Sequence, residues 1–188
     1  MNRWSFEPGH TAAHFRTRHM MVTWVRGGFT DIHGHVELDP DDLTKGAVEA
    51  RIDVATLWTG EKGRDAHLLS ADFLDAEHHP QITFRGDRVT ALGATELRVT
   101  GDLTIRGVTR ETSLDVEYLG TWSTPYWDGE QDLGPIRRAG FRATTRINRH
   151  DFGVSWNSTL DRGGVVVGDH VWITLDAEAM EPGVVEGI

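Results

Sequence analysis

The 188 residues contain no cysteine, which rules out a disulfide framework, a zinc–thiolate site and a cysteine nucleophile. No apolar run is long enough to cross a membrane as a helix, and the opening MNRWSFEPGH lacks the apolar stretch of an export signal. A cytoplasmic protein with no stable membrane insertion is the expectation. Basic residues are outnumbered, 19 against 29 acids, and the net charge of -10 opposes phosphate backbones and anionic headgroups. Nucleic acid is therefore not an expected partner. Apolar residues make up 38%, little for a large filled core, so one modest core or one hollow barrel fits best. No GxSxG elbow, HExxH helix, P-loop or dinucleotide fingerprint occurs, and no cofactor is implied.

What is present is a period of two. Segments such as ITFRGDRVTAL, LRVTGDLTIRGV, TSLDVEYLG, FRATTRINR and VWITLDAEA alternate apolar with polar residues, as half-buried antiparallel strands do. Gly-bearing breaks at Arg26-Gly27-Gly28, Arg85-Gly86-Asp87, Leu92-Gly93, Arg106-Gly107 and Gly163-Gly164 suggest turns or bulges between them. Many strands and short turns without repeats imply a sandwich or barrel. One stretch departs: Leu68, Leu69, Phe73 and Leu74 stand at helical spacing, predicting helical turns over Asp65 to Leu74. Trp122 to Arg138 shows no period and is expected to be a long loop, with Trp122, Tyr126 and Trp127 near a mouth. A single domain over residues 1–180 and a frayed tail over 181–188 complete the outline.

Two groups of side chains suggest chemistry. In DIHGHV, His33 and His35 would share one face of a strand. If residues 14–24 pair with 29–39 through a turn at Val25 to Gly28, His19 falls opposite one of them, giving three imidazoles for a metal-dependent enzyme. The plainer reading puts Ile32, Val36 and Leu38 inward and both histidines in water, because those three are the strand's apolar members. Asp65, His67 and Asp72 suggest an acid–base group, but no nucleophile accompanies them, and Asp65 suits a helix start. Seven tryptophans in so small a chain suit core packing or the lining of a ligand cavity.

The blocks PGHTAAHFRTRHMMVTWVRGGF, RDAHLLSADFLDAEHHPQITF, VTGDLTIRGVTRETSLDVEYLG, AGFRATTRINRHDFGVSWN and GGVVVGDHVWITLDAEA resemble the YceI-like polyisoprenoid-binding family, from about Trp4 to Met180. The resemblance implies an all-β, lipocalin-like antiparallel barrel with a short helical plug. It also implies non-catalytic binding, sequestration or transport of an isoprenoid-like lipid, with a polyprenyl or quinone-like tail. The family's frequent polar positions fall on His10, His19, Arg64, Asp65, His67, Asn148, Arg149, Asp151 and Gly153, where fixing turns and strand ends is the expected role. Parity then nominates inward side chains: Phe15, Phe29 and Ile32 early in the chain; Phe73, Ile82 and Phe84 in the middle; Leu103 and Ile105 beyond them. Phe141, Ile147, Phe152, Val154 and Trp156 follow, and His19 and Trp24 join the ligand-binding set. Family members often carry larger aliphatic residues where Ala13 and Thr17 stand here, implying a roomier interior. Exposed edge strands would let two copies pair as a homodimer.

Overall fold

The computed structural model describes residues 2–181. Ten strands in one antiparallel sheet follow the order β1-β4-β5-β6-β7-β8-β9-β10-β2-β3, and β1 also pairs with β10. They are β1 (Asn2–Phe6), β2 (Ala12–His19), β3 (Thr23–Phe29), β4 (Ile32–Leu38), β5 (Ala47–Asp53), β6 (Gln81–Ala91), β7 (Glu96–Ile105), β8 (Val108–Asp128), β9 (Gln131–Asn148) and β10 (Val167–Met180). β1 and β2 lie along the same side of β10, separated by a short 3-10 turn at Pro8–His10, and β3 and β4 run back beside them. Counting each of these pairs as one stave, the result is a closed barrel of eight strands. Closure joins Ser5 to Met180 and Phe6 to Ala179. Among the described residues no helix is long and apolar enough to cross a membrane.

The hairpin joining β2 to β3 differs from the sequence expectation. The turn lies at Met20–Met21, not at Val25–Gly28, and His19 faces Thr23 while Phe15 faces Gly27. Gly27 sits inside a strand because a Cβ there would stand 2.6 Å from both Phe15 Cζ and Trp58 O; the glycine is spacing for packing, not a bend. Both Met20 (φ 48) and Met21 (φ 62) occupy the left-handed region, and Val22 N–H donates to His19 O at 3.1 Å. This is the geometry for which an Asn-Gly dipeptide is favoured. The double substitution Met20→Asn/Met21→Gly should therefore stabilise the fold by about 1–2 kcal/mol in urea unfolding. An unchanged midpoint would show the methionines bear no strain.

Trp122 to Arg138 is also not a loop. β8 and β9 continue past the barrel rim as a two-stranded ribbon, paired from Thr121↔Ala139 to Tyr126↔Gly134. Ile136 and Ala139 are buried, but most apolar side chains of the ribbon have no core to meet and do not alternate, and Trp122 and Trp127 stand 71% and 57% exposed. The helix α1 (Lys62–Leu69) begins earlier and ends earlier than its spacing predicted. The Glu61 carboxylate caps it, accepting from Gly63 N–H (2.9 Å) and Arg64 N–H (2.6 Å), and these bonds hold the carboxyl below its ordinary pKa. Ser70 ends it by donating its hydroxyl to His67 O (2.7 Å), and tight turns deliver Phe73 and Leu74 instead. Glu181, assigned to the tail, bonds back to Arg137 through its N–H and carboxylate; residues 182–188 lie outside the described residues.

Candidate ligand cavity

Odd-numbered residues of β10 face inward, and Val171, Ile173, Leu175 and Ala177 line a cavity that runs through the barrel. From Val167 to Ala177 the strand spans roughly 33 Å, about 25 Å along the axis at a typical barrel tilt. The cavity volume is about 300 Å³. Its wall is mostly aliphatic and aromatic, relieved by the threonines Thr11, Thr17, Thr83 and Thr145, by His14 and Glu37 and, at one end, by Arg149. Several of these residues, including Phe15, Ile147, Ile173 and Leu175, are only partly buried although they point inward, because their accessible surface faces the interior. A wall of this kind excludes charged ligands and favours a long apolar one.

Packed side chains stand at both ends. At one, Trp4, Phe6, Leu38, Ala139 and Ala179 form a separate buried cluster, with Trp4 at 0% exposure and the Arg137 guanidinium 5.3 Å from its ring. At the other, α1 and its turn bring Phe73 against His67 (ring centroids 5.0 Å) and Trp156 (5.2 Å). Arg64 fastens this closure, donating from Nε to Thr59 Oγ1 (2.7 Å) and from Nη2 to Thr59 O (2.9 Å). Thr59 in turn donates its hydroxyl to Asp65, so the polar residues of α1 act as anchors. His67 Nε2 meets Asp72 at 2.9 Å, which completes the role of the suspected acid–base group as a set of fastenings.

Arg149 holds the connection between β9 and β10. Buried to 4% exposure, it donates to Val154 O (2.6 Å), Trp156 O (2.9 Å), Gly168 O (2.9 Å) and Val167 O (3.3 Å). Burial draws its pKa below the usual guanidinium range, opposed by the charge of Asp169. The short 3-10 turn that follows ends at Gly153 (φ 72), whose left-handed backbone brings Phe152 and Val154 under the closure.

The turn after α1 has its own ion pair, His78 Nδ1 to Asp75 Oδ1 at 2.9 Å. The hydrogen bond and charge of Asp75 raise the His78 pKa above 6.5, and the bond from His78 lowers that of Asp75 below 3.8. The histidine's contribution is complete below 6.5 and lost as pH rises through its raised value; the aspartate's is present above 3.8 and lost as pH falls through its depressed value. His78→Gln should accordingly speed amide exchange in this turn at about pH 5 and leave it unchanged at about pH 9. Equal effects at both would mean the pair holds nothing.

A comparison with protein families matches residues 4–179 to the YceI-like domain. The chain belongs to the YceI-like family. A UPF0312 protein of Staphylococcus aureus strain N315 (SA2479) is 35% identical over 178 residues, covering 95% of this chain and 97% of that one. The crystal structure of the Campylobacter jejuni YCEI protein superposes with a TM-score of 0.71 at 26% identity, covering 88% of this chain and 90% of that one. Burkholderia cenocepacia BcnA shares the fold at a TM-score of 0.74 and 24% identity, over 93% of this chain and 99% of that one. A polyisoprenoid binding domain from Saccharophagus degradans does so at 0.64 and 14%, over 97% and 100%.

Within this YceI-like barrel most of the nominated residues meet at the cavity. Phe15, Phe29, Ile32, Phe73, Ile82 and Phe84 line it, as do Leu103, Ile105, Phe141, Ile147, Phe152 and Val154. Three do not. His19 keeps the inward parity but lies at the end of β2, beyond the lining. Trp24 points outward, because the hairpin register pairs it with Arg18, not with an inward residue. Trp156 belongs to the closure, its ring centroid 4.7 Å from that of His67. The mouth candidates Trp122, Tyr126 and Trp127 stay on the ribbon and are absent from the lining.

Nor are the three histidines brought together. β2 neighbours β3 and β10, whereas β4 neighbours β1 and β5. His33 meets Asp31 at 2.7 Å and His35 meets Arg3 at 3.1 Å, both on the outer face. Among the described residues the one three-membered group with metal-ligand spacing is Glu7, His10 and Glu178, and Arg138 already engages Glu178. Sequence reasoning missed the β10 row of Val171, Ile173 and Leu175, although the alternation in VWITLDAEA carried the signal. It also missed how Arg149 organises four carbonyls, for which a linear pattern gives no cue.

Proposed function

We propose that this protein shelters a long apolar molecule, of the isoprenoid-like lipid class, inside the barrel and performs no chemistry on it. The observation that carries this is the continuous apolar cavity, flanked at each end by packed aromatic side chains, whose buried charge, Arg149, is already bonded to four backbone carbonyls. A polyprenyl or quinone-like tail would gain roughly 25 cal/mol for each Å² of surface moved from water to such a wall. Membership of the YceI-like family, and a neighbour of the same fold described as a polyisoprenoid binding domain, support the same reading.

The test is native mass spectrometry of the purified protein, with organic extraction and identification of what is released. A stoichiometric apolar molecule that leaves on extraction and rebinds from a polyprenol stock is the expected result. A protein that takes up no prenyl, quinone or acyl chain from such stocks would refute the proposal.

A further inference from the structure

The outer wall carries an arrangement that the cavity does not use. Arg26, Arg16, Trp172 and Arg146 are successive cross-strand partners on β3, β2, β10 and β9, forming one row across four strands about 4.8 Å apart. The next row towards the β2–β3 turn holds Trp24 opposite Arg18. Arg16 and Arg18 flank the Trp24 ring at 4.9 and 4.2 Å, and Trp172 meets it edge-on at 4.9 Å. All four arginines are exposed, and none forms an ion pair among the described residues. Asp115 and Asp169 are engaged by Arg98 and His150. Like charges placed directly opposite, as Arg16 and Arg26 are, weaken a sheet, and although Arg16 and Arg18 stack on Trp24, no contact among the described residues rewards Arg26 or Arg146 in the same row.

Beyond the second row comes the turn itself, Met20, Met21 and Val22, exposed to 43%, 62% and 79%. Its side chains are apolar at positions where the backbone asks for an Asn-Gly dipeptide. Met20 N–H donates to Val166 O (2.8 Å), tying the tip to the connection that Arg149 holds over the cavity. Apolar tip, then Trp and Arg, then a row of Arg is the order of chemistries met on leaving a bilayer. The spacing agrees: Arg18 and Trp24 lie about 7 Å and Arg16 and Arg26 about 13 Å from the tip along their strands. An interfacial layer is roughly 5–8 Å deep.

We propose that this wall docks the barrel on an anionic lipid surface, with Met20–Val22 inserted and Arg16, Arg18, Arg26 and Arg146 against the headgroups, so that the closure beneath α1 faces the bilayer from which the ligand comes. The purpose of the contact rests on the cavity reading, while the contact itself stands independently. The net charge of -10 does not oppose it, because that sum averages over the whole surface while Arg16, Arg18, Arg26 and Arg146 stand together on one wall, and contact forces act within a Debye length. A nucleic acid would use the arginines and tryptophans but has no need of the apolar tip.

Co-sedimentation with vesicles of phosphatidylcholine containing about a third phosphatidylglycerol, against phosphatidylcholine alone, decides it. The protein should bind the anionic vesicles at low salt and leave them at high salt. Arg16→Gln/Arg26→Gln/Arg146→Gln should weaken binding about a hundredfold, near fivefold for each charge. Met21→Ser/Val22→Ser should weaken it on the order of tenfold, with both variants retaining the circular dichroism of the parent. Absence of binding at low salt, equal binding to neutral vesicles, or indifference to the arginine variant overturns the proposal. Loss with the arginine variant alone also overturns it, pointing to an acidic protein; tighter binding to an oligothymidylate points to nucleic acid. A barrel that docks yet takes up no apolar chain would refute the cavity reading alone; one that takes up its ligand but never docks would refute the docking alone.

Discussion

Filling the barrel from its own wall, with Ala50→Phe and Ala143→Phe, should abolish ligand retention while the protein still folds. Ala143 faces Leu175 and Val116 across the sheet, and Ala50 sits on β5 opposite Phe84; both line the cavity. Overpacking a filled core costs about 1–3 kcal/mol, but these rings enter space that the native side chains leave open. Each 100 Å² of ligand surface denied contact costs binding roughly 2.5 kcal/mol, about seventyfold. Lipid-to-protein ratio by mass spectrometry, beside thermal unfolding, reads both halves of the expectation. Undiminished lipid in a well-folded double variant would place the ligand outside the barrel.

Arg149→Met should be the most destabilising single substitution at the closure. It removes donors from the carbonyls of Val154, Trp156, Val167 and Gly168, in a place where water has little access. Unpaired buried carbonyls cost about 1–3 kcal/mol each before relaxation, and a net loss of about 3–5 kcal/mol is expected. For a chain of this length that is a fall in melting temperature of roughly 6–20 °C. Arg149→Lys should recover only part of it, since three ammonium hydrogens from one point cannot reach four carbonyls held by a planar fork. A loss under about 1 kcal/mol would mean the connection is held by its apolar contacts.

The barrel wall was legible residue by residue because strand parity has physical content: Ile32, Ile82, Phe84, Leu103 and Ile147 alternate with polar neighbours and do line the cavity. What parity cannot supply is which strand lies beside which. The turn at Met20–Met21 contains none of the residues that mark turns, while Gly27-Gly28 has the look of one and is flat strand shaped by Phe15. That single exchange displaced β3 and placed His19 near His33 and His35, which the fold separates. Trp24, nominated for the ligand, lies outside between two arginines. The charge sum likewise carries no information about where on the surface the cations sit.

The seam at which Ser5 meets Met180 has a consequence for the birth of the protein. The first strand leaves the ribosome with no partner for one of its sides, and that partner is the last strand to be made. At about 5–20 residues per second the wait is roughly 10–35 seconds. Until then the β2–β3 hairpin is severed from the sheet that runs from β1 through β4 to β9, and each piece leaves its edges unpaired, a form prone to pairing with other chains. The same hollow interior that suits a lipid after synthesis is then a liability during it, and a chaperone that covers concave apolar sheets would be most needed before β10 appears.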